Sequence, residues 1–152
     1  QAVHIWACVL AFKIAYPDNV YINRGNHEDS SYWTQYGAAG FSREIETKYT
    51  RKEADQLVDA FDGLVNSLPL MSLVDNSCVV LHGGLPRHHQ PWLRVRIEEI
   101  DRMRRPLPMP TTMDTRSEQT LYDLMWADPM ERPGMGLNVR GGDIRSFGPD
   151  IT

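Results

Sequence analysis

Cysteine is scarce in this chain: Cys8 and Cys78 are the only two among 152 residues. Both stand in apolar surroundings, so we interpret them as small core residues. Two buried thiols fit a reducing compartment better than they fit a scaffold held by disulfides. The cysteine content therefore favours an intracellular protein, and we expect a cytoplasmic or nuclear location.

The chain also lacks a membrane-length apolar run and an excess of charge. The apolar run over residues 3–15 is interrupted by His4 and Lys13, and it falls short of the ~20 residues that span a bilayer. Nothing resembles a signal peptide. The formal net charge is −4, which does not favour nucleic-acid binding. We therefore expect neither a membrane nor a nucleic acid as partner.

A methionine start is missing as well. The chain begins at Gln1, an apolar helix follows at once, and residues 150–152 form no evident closing element. Natural termini usually have a looser and more polar lead-in. We expect residues 1–152 to be an internal piece of a longer protein, truncated at both ends.

The remaining composition is that of an ordinary globular domain, with 41% apolar and 24% charged residues. Apolar patterns predict helices over residues 3–15, 41–49, 54–68, 93–103 and 117–125, and strands over 20–22, 70–74, 78–81 and 144–147. Residues 75–77 predict a hairpin turn between two of these strands, and either Thr115 or Ser117 is available as N-cap of the last helix. The first helix is apolar on nearly all faces, which predicts a buried helix. Residues 131–142 contain four glycines and a proline and are predicted to be loop. Alternating strands and helices indicate the α/β class.

Two predicted strands each run into a turn that contains a glycine and a histidine. The first runs into Arg24-Gly25-Asn26-His27-Glu28, and the second, residues 78–81, runs into His82-Gly83-Gly84. Glycine allows the backbone to turn sharply at a strand end. The two turns predict one shared metal or phosphate site.

The donor types at these turns suit phosphate-ester hydrolysis. Asn26 and His82 supply an amide oxygen and an imidazole, which are ligands for hard and borderline metal ions. A pair of such ions lowers the pKa of bound water and holds both oxygens of an in-line displacement. His27 is a candidate general acid for the leaving group. Arg140 offers a planar fork for phosphate oxygens.

The order of these motifs resembles the PPP family of serine/threonine protein phosphatases. The resemblance rests on residues 24–28, on Leu81-His82-Gly83-Gly84-Leu85, on Trp126-Ala127-Asp128-Pro129, and on Arg140-Gly141 followed by residues 147–150. It covers nearly the whole chain, and it implies that residues 1–152 are the central part of one phosphatase catalytic domain that is truncated at both ends. The ending over residues 147–152 is most similar to the subgroups that carry tetratricopeptide repeats or EF-hands.

The resemblance implies a calcineurin-like metallophosphoesterase fold, a two-sheet β-sandwich flanked by helices. It implies two divalent or trivalent metal ions (Mn, Fe or Zn), a phosphoprotein substrate, and regulatory domains or subunits. Hydroxide held by the metals would attack phosphoserine or phosphothreonine directly. The resemblance assigns the following residues: metal ligands Asn26 and His82, general acid His27, phosphate-binding Arg140, and supporting residues Arg24, Glu28 and Asp128.

The departures from the family pattern limit what this chain can do alone. The family motifs Gly-Asp-x-His-Gly and Gly-Asp-x-Val-Asp-Arg-Gly, which supply further metal ligands, are not in the sequence, and neither is a later Arg-x-His motif. We therefore expect the isolated chain to be inactive. Residues 86–92 also differ from the family's usual Ser-Pro, which leaves substrate preference open.

Two other interpretations remain open at this point. One is a dinucleoside polyphosphate hydrolase of the same superfamily, although the helix over 54–68 and the Trp126–Pro129 motif favour a protein phosphatase. The other is a pseudophosphatase that only binds partners. Loss of the metal-bridging aspartate in the preceding sequence would support that second interpretation.

Overall fold

The structure is a computed structural model that describes residues 1–37, 40–90 and 93–151. Its contacts divide the chain into two compact units. The first unit comprises Gln1–Ile22 and His27–Leu68, and the second comprises Asn23–Asn26 and Pro69–Thr152. The expectation that residues 1–152 form part of one catalytic domain stays a prediction.

The first unit is helical. It contains α1 (Ala2–Ala15), α2 (Ser30–Trp33), α3 (Phe41–Lys48) and α4 (Arg51–Ser67), which confirms the helices predicted near residues 41–49 and 54–68. Trp33, Val65 and Leu68 form its core. The rings of Phe41 and Phe61 pack edge to face at 4.9 Å between centroids, a favoured aromatic geometry.

Helix α1 is not buried, and the prediction of a buried helix is wrong for this structure. None of its residues is buried, and Ile14 is 80% exposed. Trp6 does pack against the core, with its ring 5.8 Å from that of Phe61. An apolar surface is buried only where another element covers it, and one face of α1 has such a neighbour among the described residues.

The two cysteines are also exposed rather than buried. Cys8 lies on α1, and Cys78 begins a strand of the second unit. Their apolar neighbours in sequence predicted burial, but apolar neighbours on the same element do not cover a side chain. The interpretation of both as core residues is therefore wrong.

The predicted strand over residues 20–22 is not formed either. A β-strand is defined by pairing with a neighbouring strand, and no described residue pairs with this segment in that way. Side chains hold the chain that follows instead: Asn23 Nδ2 donates to the Val80 carbonyl oxygen at 3.0 Å, and Asn23 Oδ1 accepts from the Ser72 hydroxyl at 2.8 Å.

The second unit contains the predicted hairpin. β1 (Met71–Val74) and β2 (Cys78–Leu81) pair antiparallel, and Asp75 and Asn76 turn between them with φ of 50° and 51°. Asn and Asp tolerate this left-handed region better than other residues. α5 is shorter than predicted, Ile97–Asp101.

Helix α6 (Arg116–Trp126) organises the second core. Leu121, Leu124 and Met125 are buried from it and pack with Leu70 and Ile100. The Thr115 side chain accepts from the Glu118 backbone N–H, and Glu118 bonds back to the Thr115 backbone. This capping box satisfies N–H groups that the first turn leaves unpaired, and it confirms the predicted helix and one of its two predicted caps.

A second sheet follows α6. β3 (Asp128–Pro129), β5 (Arg145–Phe147) and β4 (Met135–Leu137) lie in that order, with β5 parallel to β3 and antiparallel to β4. β5 confirms the predicted last strand. β4 lies inside the segment predicted as loop, so that prediction is wrong there, because pairing with β5 outweighs the poor strand propensity of Gly136. The sandwich packing of the two sheets stays a prediction.

Candidate active site

Asn26 lies at the end of a tightly held segment of the second unit. Arg24 and Gly25 are buried. The Arg24 backbone N–H donates to the Pro69 carbonyl at 2.7 Å, and Arg24 Nη1 donates to the Leu107 carbonyl. The turn predicted after this segment falls at residues 26–27. Arg24 thus anchors the backbone that presents the Asn26 side chain.

His82 follows β2 and is positioned by the two glycines after it. A Cβ on Gly83 would lie 2.6 Å from the Met125 backbone carbon, and one on Gly84 would lie 2.1 Å from the Phe147 ring. The Gly83 N–H donates to the Leu124 carbonyl at 2.9 Å. The glycines allow the turn to approach α6 and β5 at distances that any larger residue would prevent.

The structure brings Asn26 and His82 together. Asn26 Oδ1 lies 3.0 Å from His82 Nε2, and His82 is exposed while Asn26 is half-buried. Protein ligands lie about 2.0–2.2 Å from ions such as Zn²⁺, so two ligands at about a right angle on one ion lie about 3 Å apart. The donor types and their separation therefore fit a common cation.

Nothing further in the described residues completes that site, since no three His, Cys, Asp or Glu side chains converge on one point there. The expectation that this chain retains two candidate metal ligands, Asn26 and His82, stays a prediction. The two metal ions that the family resemblance implies stay a prediction as well.

His27 belongs to the first unit and has an aromatic environment. Its ring stacks on Tyr36 with centroids 5.2 Å apart, and the Tyr36 hydroxyl lies 3.3 Å from His27 Nε2. The His27 carbonyl accepts from Trp33 Nε1 at 3.0 Å. His27, Glu28, Tyr32 and Tyr36 line a cavity of about 320 Å³ within this unit. His27 itself is exposed, so its ring is open to a reactant.

Arg140 lies in the second unit, and its side chain is hydrogen-bonded within that unit. Its Nη2 donates to Asp128 Oδ2 at 2.6 Å and to the Trp126 carbonyl at 2.8 Å, and its guanidinium lies 5.7 Å from the Trp126 ring centre. Asn138, which is buried, donates to Asp128 at 2.7 Å and accepts from the Arg140 backbone N–H at 2.8 Å. Asp128, predicted as a supporting residue, contacts Arg140 directly.

Sequence reasoning missed an ion pair beside this site, between the half-buried Arg87 and the buried Asp123. Arg87 donates through Nε and Nη2 to the carboxylate of Asp123 at 2.8 and 2.5 Å, and Asp123 is fully buried. Burial, followed by the charge of Asp143, raises the pKa of the neighbouring Tyr122. The available signal was the unusual segment 86–92, of which Pro91 and Trp92 lie outside the described residues.

Comparison with known sequences places this fold and site in a family. The sequence profile of calcineurin-like phosphoesterases matches residues 3–149. The chain therefore belongs to the calcineurin-like phosphoesterase family, and its α/β fold is the fold of that family. Membership implies divalent metal ions as cofactors.

The most informative relatives are serine/threonine phosphatases. The chain is 36% identical to serine/threonine-protein phosphatase T of Saccharomyces cerevisiae over 97% of its own length and 26% of that protein. It is 33% identical to serine/threonine-protein phosphatase rdgC of Drosophila melanogaster, over 100% of the chain and 23% of that protein.

A solved structure agrees with these sequences. A protein serine/threonine phosphatase from Saccharomyces cerevisiae, described as similar to human phosphatase PP5, superposes with a TM-score of 0.78 at 32% identity. The match covers 98% of this chain and 41% of that one. The chain spans about a quarter of the length of the curated relatives. No helix in the described ranges is long and apolar enough to cross a membrane.

Proposed function

We propose that this chain is the central part of the catalytic domain of a metal-dependent serine/threonine protein phosphatase. The observation that carries the proposal is the 3.0 Å separation between Asn26 Oδ1 and His82 Nε2, which suits one shared cation. The likeness to phosphatase T and rdgC over nearly the whole chain supports the same reaction.

Asn26 and His82 would hold one of two metal ions, with Mn, Fe or Zn favoured by the oxygen and imidazole ligands. When bound, such ions lower the pKa of water and neutralise charge on the phosphate. An Asn ligand adds no negative charge of its own, so the site stays attractive to a phosphate dianion. Arg24 supports this role because it anchors the backbone before Asn26.

His27 and Arg140 would act on the substrate. His27 would donate a proton to the departing serine or threonine oxygen, since an alkoxide is a poor leaving group without a general acid. Both side-chain hydrogen bonds that Arg140 forms with described residues fall on Nη2, so Nη1 and Nε would donate to phosphate oxygens. Asp128 would orient the guanidinium, and Glu28 would support the loop that carries His27.

The wider role of the protein follows from the same proposal. The substrate would be a phosphoprotein, in the cytoplasm or nucleus. Regulatory domains or subunits would lie outside this chain, because most of the length of its curated relatives lies outside the matched region.

The experiment is an Asn26→Ala substitution in the full-length protein, with Asn19→Ala as the control. Asn19 is exposed and contributes a backbone N–H to a turn, so its loss should leave metal content and rate unchanged. Asn26→Ala should lower both bound metal and kcat on a phosphoserine peptide, at least as strongly as the roughly 10–100-fold loss that follows removal of an outer-shell partner of a metal ligand. Metal is measured by mass spectrometry of the purified protein.

The outcomes separate the alternatives. Unchanged metal content and rate in Asn26→Ala would remove Asn26 from the site. A wild-type protein that binds metal but cleaves diadenosine tetraphosphate in preference to phosphopeptide would instead be a dinucleoside polyphosphate hydrolase. A wild-type protein that cleaves neither substrate at any added metal would be a pseudophosphatase.

A further inference from the structure

The segment in which this chain departs from the phosphatase pattern supplies a partly buried cation, Arg87. Arg87 presents its guanidinium edge to Asp123, with Nε 2.8 Å from Oδ2 and Nη2 2.5 Å from Oδ1. Its backbone N–H donates to Oδ2 at 2.8 Å as well. The side chains are 14% and 0% exposed. A two-pronged arginine–carboxylate pair in such a setting is geometrically well defined.

Arg87 also forms a hydrogen bond with the loop that carries Arg140. Its Nη2 donates to the carbonyl oxygen of Asp143 at 2.7 Å. Between Arg140 and Asp143 lie Gly141 and Gly142, with φ of +79° and +63°. Two consecutive glycines give this half of the loop more backbone freedom than any other residues would. The hydrogen bond from Arg87 to the Asp143 carbonyl limits that freedom, because it fixes the backbone directly after the glycines.

The other half of the loop is held by Asn138. Its backbone N–H donates to the Ile144 carbonyl at 3.1 Å, and its carbonyl accepts from the Gly141 N–H at 3.0 Å. Asn138 Oδ1 also accepts from the Arg140 N–H. The loop is therefore fixed at its base by Asn138 and at its glycine end by Arg87.

Arg87 and the Arg140 side chain both contact the end of α6. Asp123 and Trp126 are three residues apart, so they lie on the same side of the helix. Asp123 holds Arg87, while the Trp126 carbonyl accepts from Arg140 and the Trp126 ring lies beneath the guanidinium. The last turn of α6 thus contacts the Arg140 side chain directly and the Arg140 loop through Arg87.

We propose that Arg87 is a positioning residue for Arg140: paired with buried Asp123, it fixes the Asp143 carbonyl and thereby the loop that aims Arg140 at a phosphate group. This inference rests on the proposed phosphate-binding role of Arg140. Lysine cannot replace Arg87, because one ammonium group cannot span both carboxylate oxygens and the Asp143 carbonyl in this planar arrangement.

The test measures how inorganic phosphate, the reaction product, inhibits the full-length phosphatase. In Arg87→Lys the inhibition constant for phosphate and the KM for a phosphoserine peptide should rise roughly 10-fold, within the range that small misplacements of a binding group produce. The change in kcat should be smaller. The control is Arg43→Lys, an exposed arginine that pairs with Glu46 on α3, which should change neither constant.

A second variant protects the test against misfolding. Arg87→Met combined with Asp123→Leu removes both charges, and replacing a buried ion pair by apolar residues is often neutral for stability. A melting temperature close to wild type shows that it folds. It should raise the phosphate inhibition constant as Arg87→Lys does, since it also lacks the contact with Asp143.

A double-mutant cycle then asks whether Arg87 acts through Arg140. In an Arg140→Ala background, Arg87→Lys should have no further effect on phosphate inhibition. An equal, additive effect in both backgrounds would show a general structural role and overturn the inference. So would unchanged phosphate inhibition in Arg87→Lys and in the double variant, if Arg140→Ala alone weakens it. Unchanged inhibition in Arg140→Ala would instead overturn the phosphate-binding role itself.

Discussion

Helices α1 and α6 differ in how far their apolar content corresponds to the burial of their side chains. α1 carries apolar residues on nearly all faces, yet Ile5, Phe12 and Ile14 are 62%, 60% and 80% exposed. α6 is much more polar, yet five of its eleven residues are buried. α6 is also capped by a reciprocal Thr115–Glu118 pair at its own start, whereas Gln1 does not cap α1 and the Glu44 side chain accepts from the Ala2 N–H instead.

The difference in burial arises from the residues that pack against each helix and not from the sequences of the two helices. α6 has one apolar face, and Leu70 and Ile100 cover that face. α1 has apolar residues in every direction but meets the core of its unit mainly through Trp6. Burial of apolar area stabilises a fold only where a partner removes that area from water. Apolar content thus predicts what a helix can bury, and the tertiary structure determines what it does bury.

The largest expected effect contrasts a buried and an exposed apolar residue. Leu124→Ala on α6 should destabilise the 152-residue chain by about 2–5 kcal/mol, because the side chain is fully buried and leaves a cavity. Ile14→Ala on α1 should change stability by no more than about 0.5 kcal/mol. Urea denaturation followed by circular dichroism measures both. Comparable losses for the two variants would show that α1 is covered in solution and would break the contrast.

A smaller loss of stability should follow from substitution of Gly83, whose backbone lies close to the end of α6. Gly83→Ala places a Cβ 2.6–2.7 Å from backbone atoms of Leu124, Met125 and Trp126, and backbone cannot give way as a side chain can. We expect a loss of about 1–3 kcal/mol. Gly63→Ala in α4 is the control: its Cβ meets no atom within 4 Å, so it should stabilise by up to about 1 kcal/mol. If both variants changed the free energy of unfolding in the same direction, this explanation would be wrong.

The smallest effect concerns acid sensitivity. Hydrogen bonds from the Thr115 hydroxyl and backbone N–H hold the pKa of Glu118 below its usual 4.5. The stabilisation by this carboxylate is therefore complete above pH 4.5 and is lost as the pH falls through the lowered pKa. The difference in urea midpoint between wild type and Glu118→Gln should be largest near neutrality and should shrink in acid. A constant difference would mean that the carboxylate charge contributes nothing to the cap.

Local features were the most predictable parts of this fold. The hairpin around Asp75 and Asn76 and the start of α6 at Thr115 depend on residues close in sequence, so turn and capping rules found both. β4 was missed because its stability comes from pairing with β5. The strand expected over residues 20–22 was wrong for the converse reason, since no described strand pairs with it.

The candidate site likewise contains one pair of residues that local patterns predicted and one pair that they did not. The two glycine-bearing turns predicted Asn26 and His82 as a pair, and the structure places their side-chain atoms at hydrogen-bond distance. The Arg87–Asp123 pair had no comparable signal, because an arginine after a proline and an aspartate within a helix are ordinary on a protein surface. Only the packing of residues 86–90 against α6 makes them an ion pair with a buried carboxylate.

Sequence alone determined the phosphoesterase motifs, their order along the chain, and the local turns and caps, because each depends on residues within a few positions of one another. The tertiary structure decided which apolar faces are covered, which segments pair as strands, and that Arg87 reaches both Asp123 and the Arg140 loop. These outcomes depend on contacts between residues far apart in the chain, whose free energies local patterns do not contain.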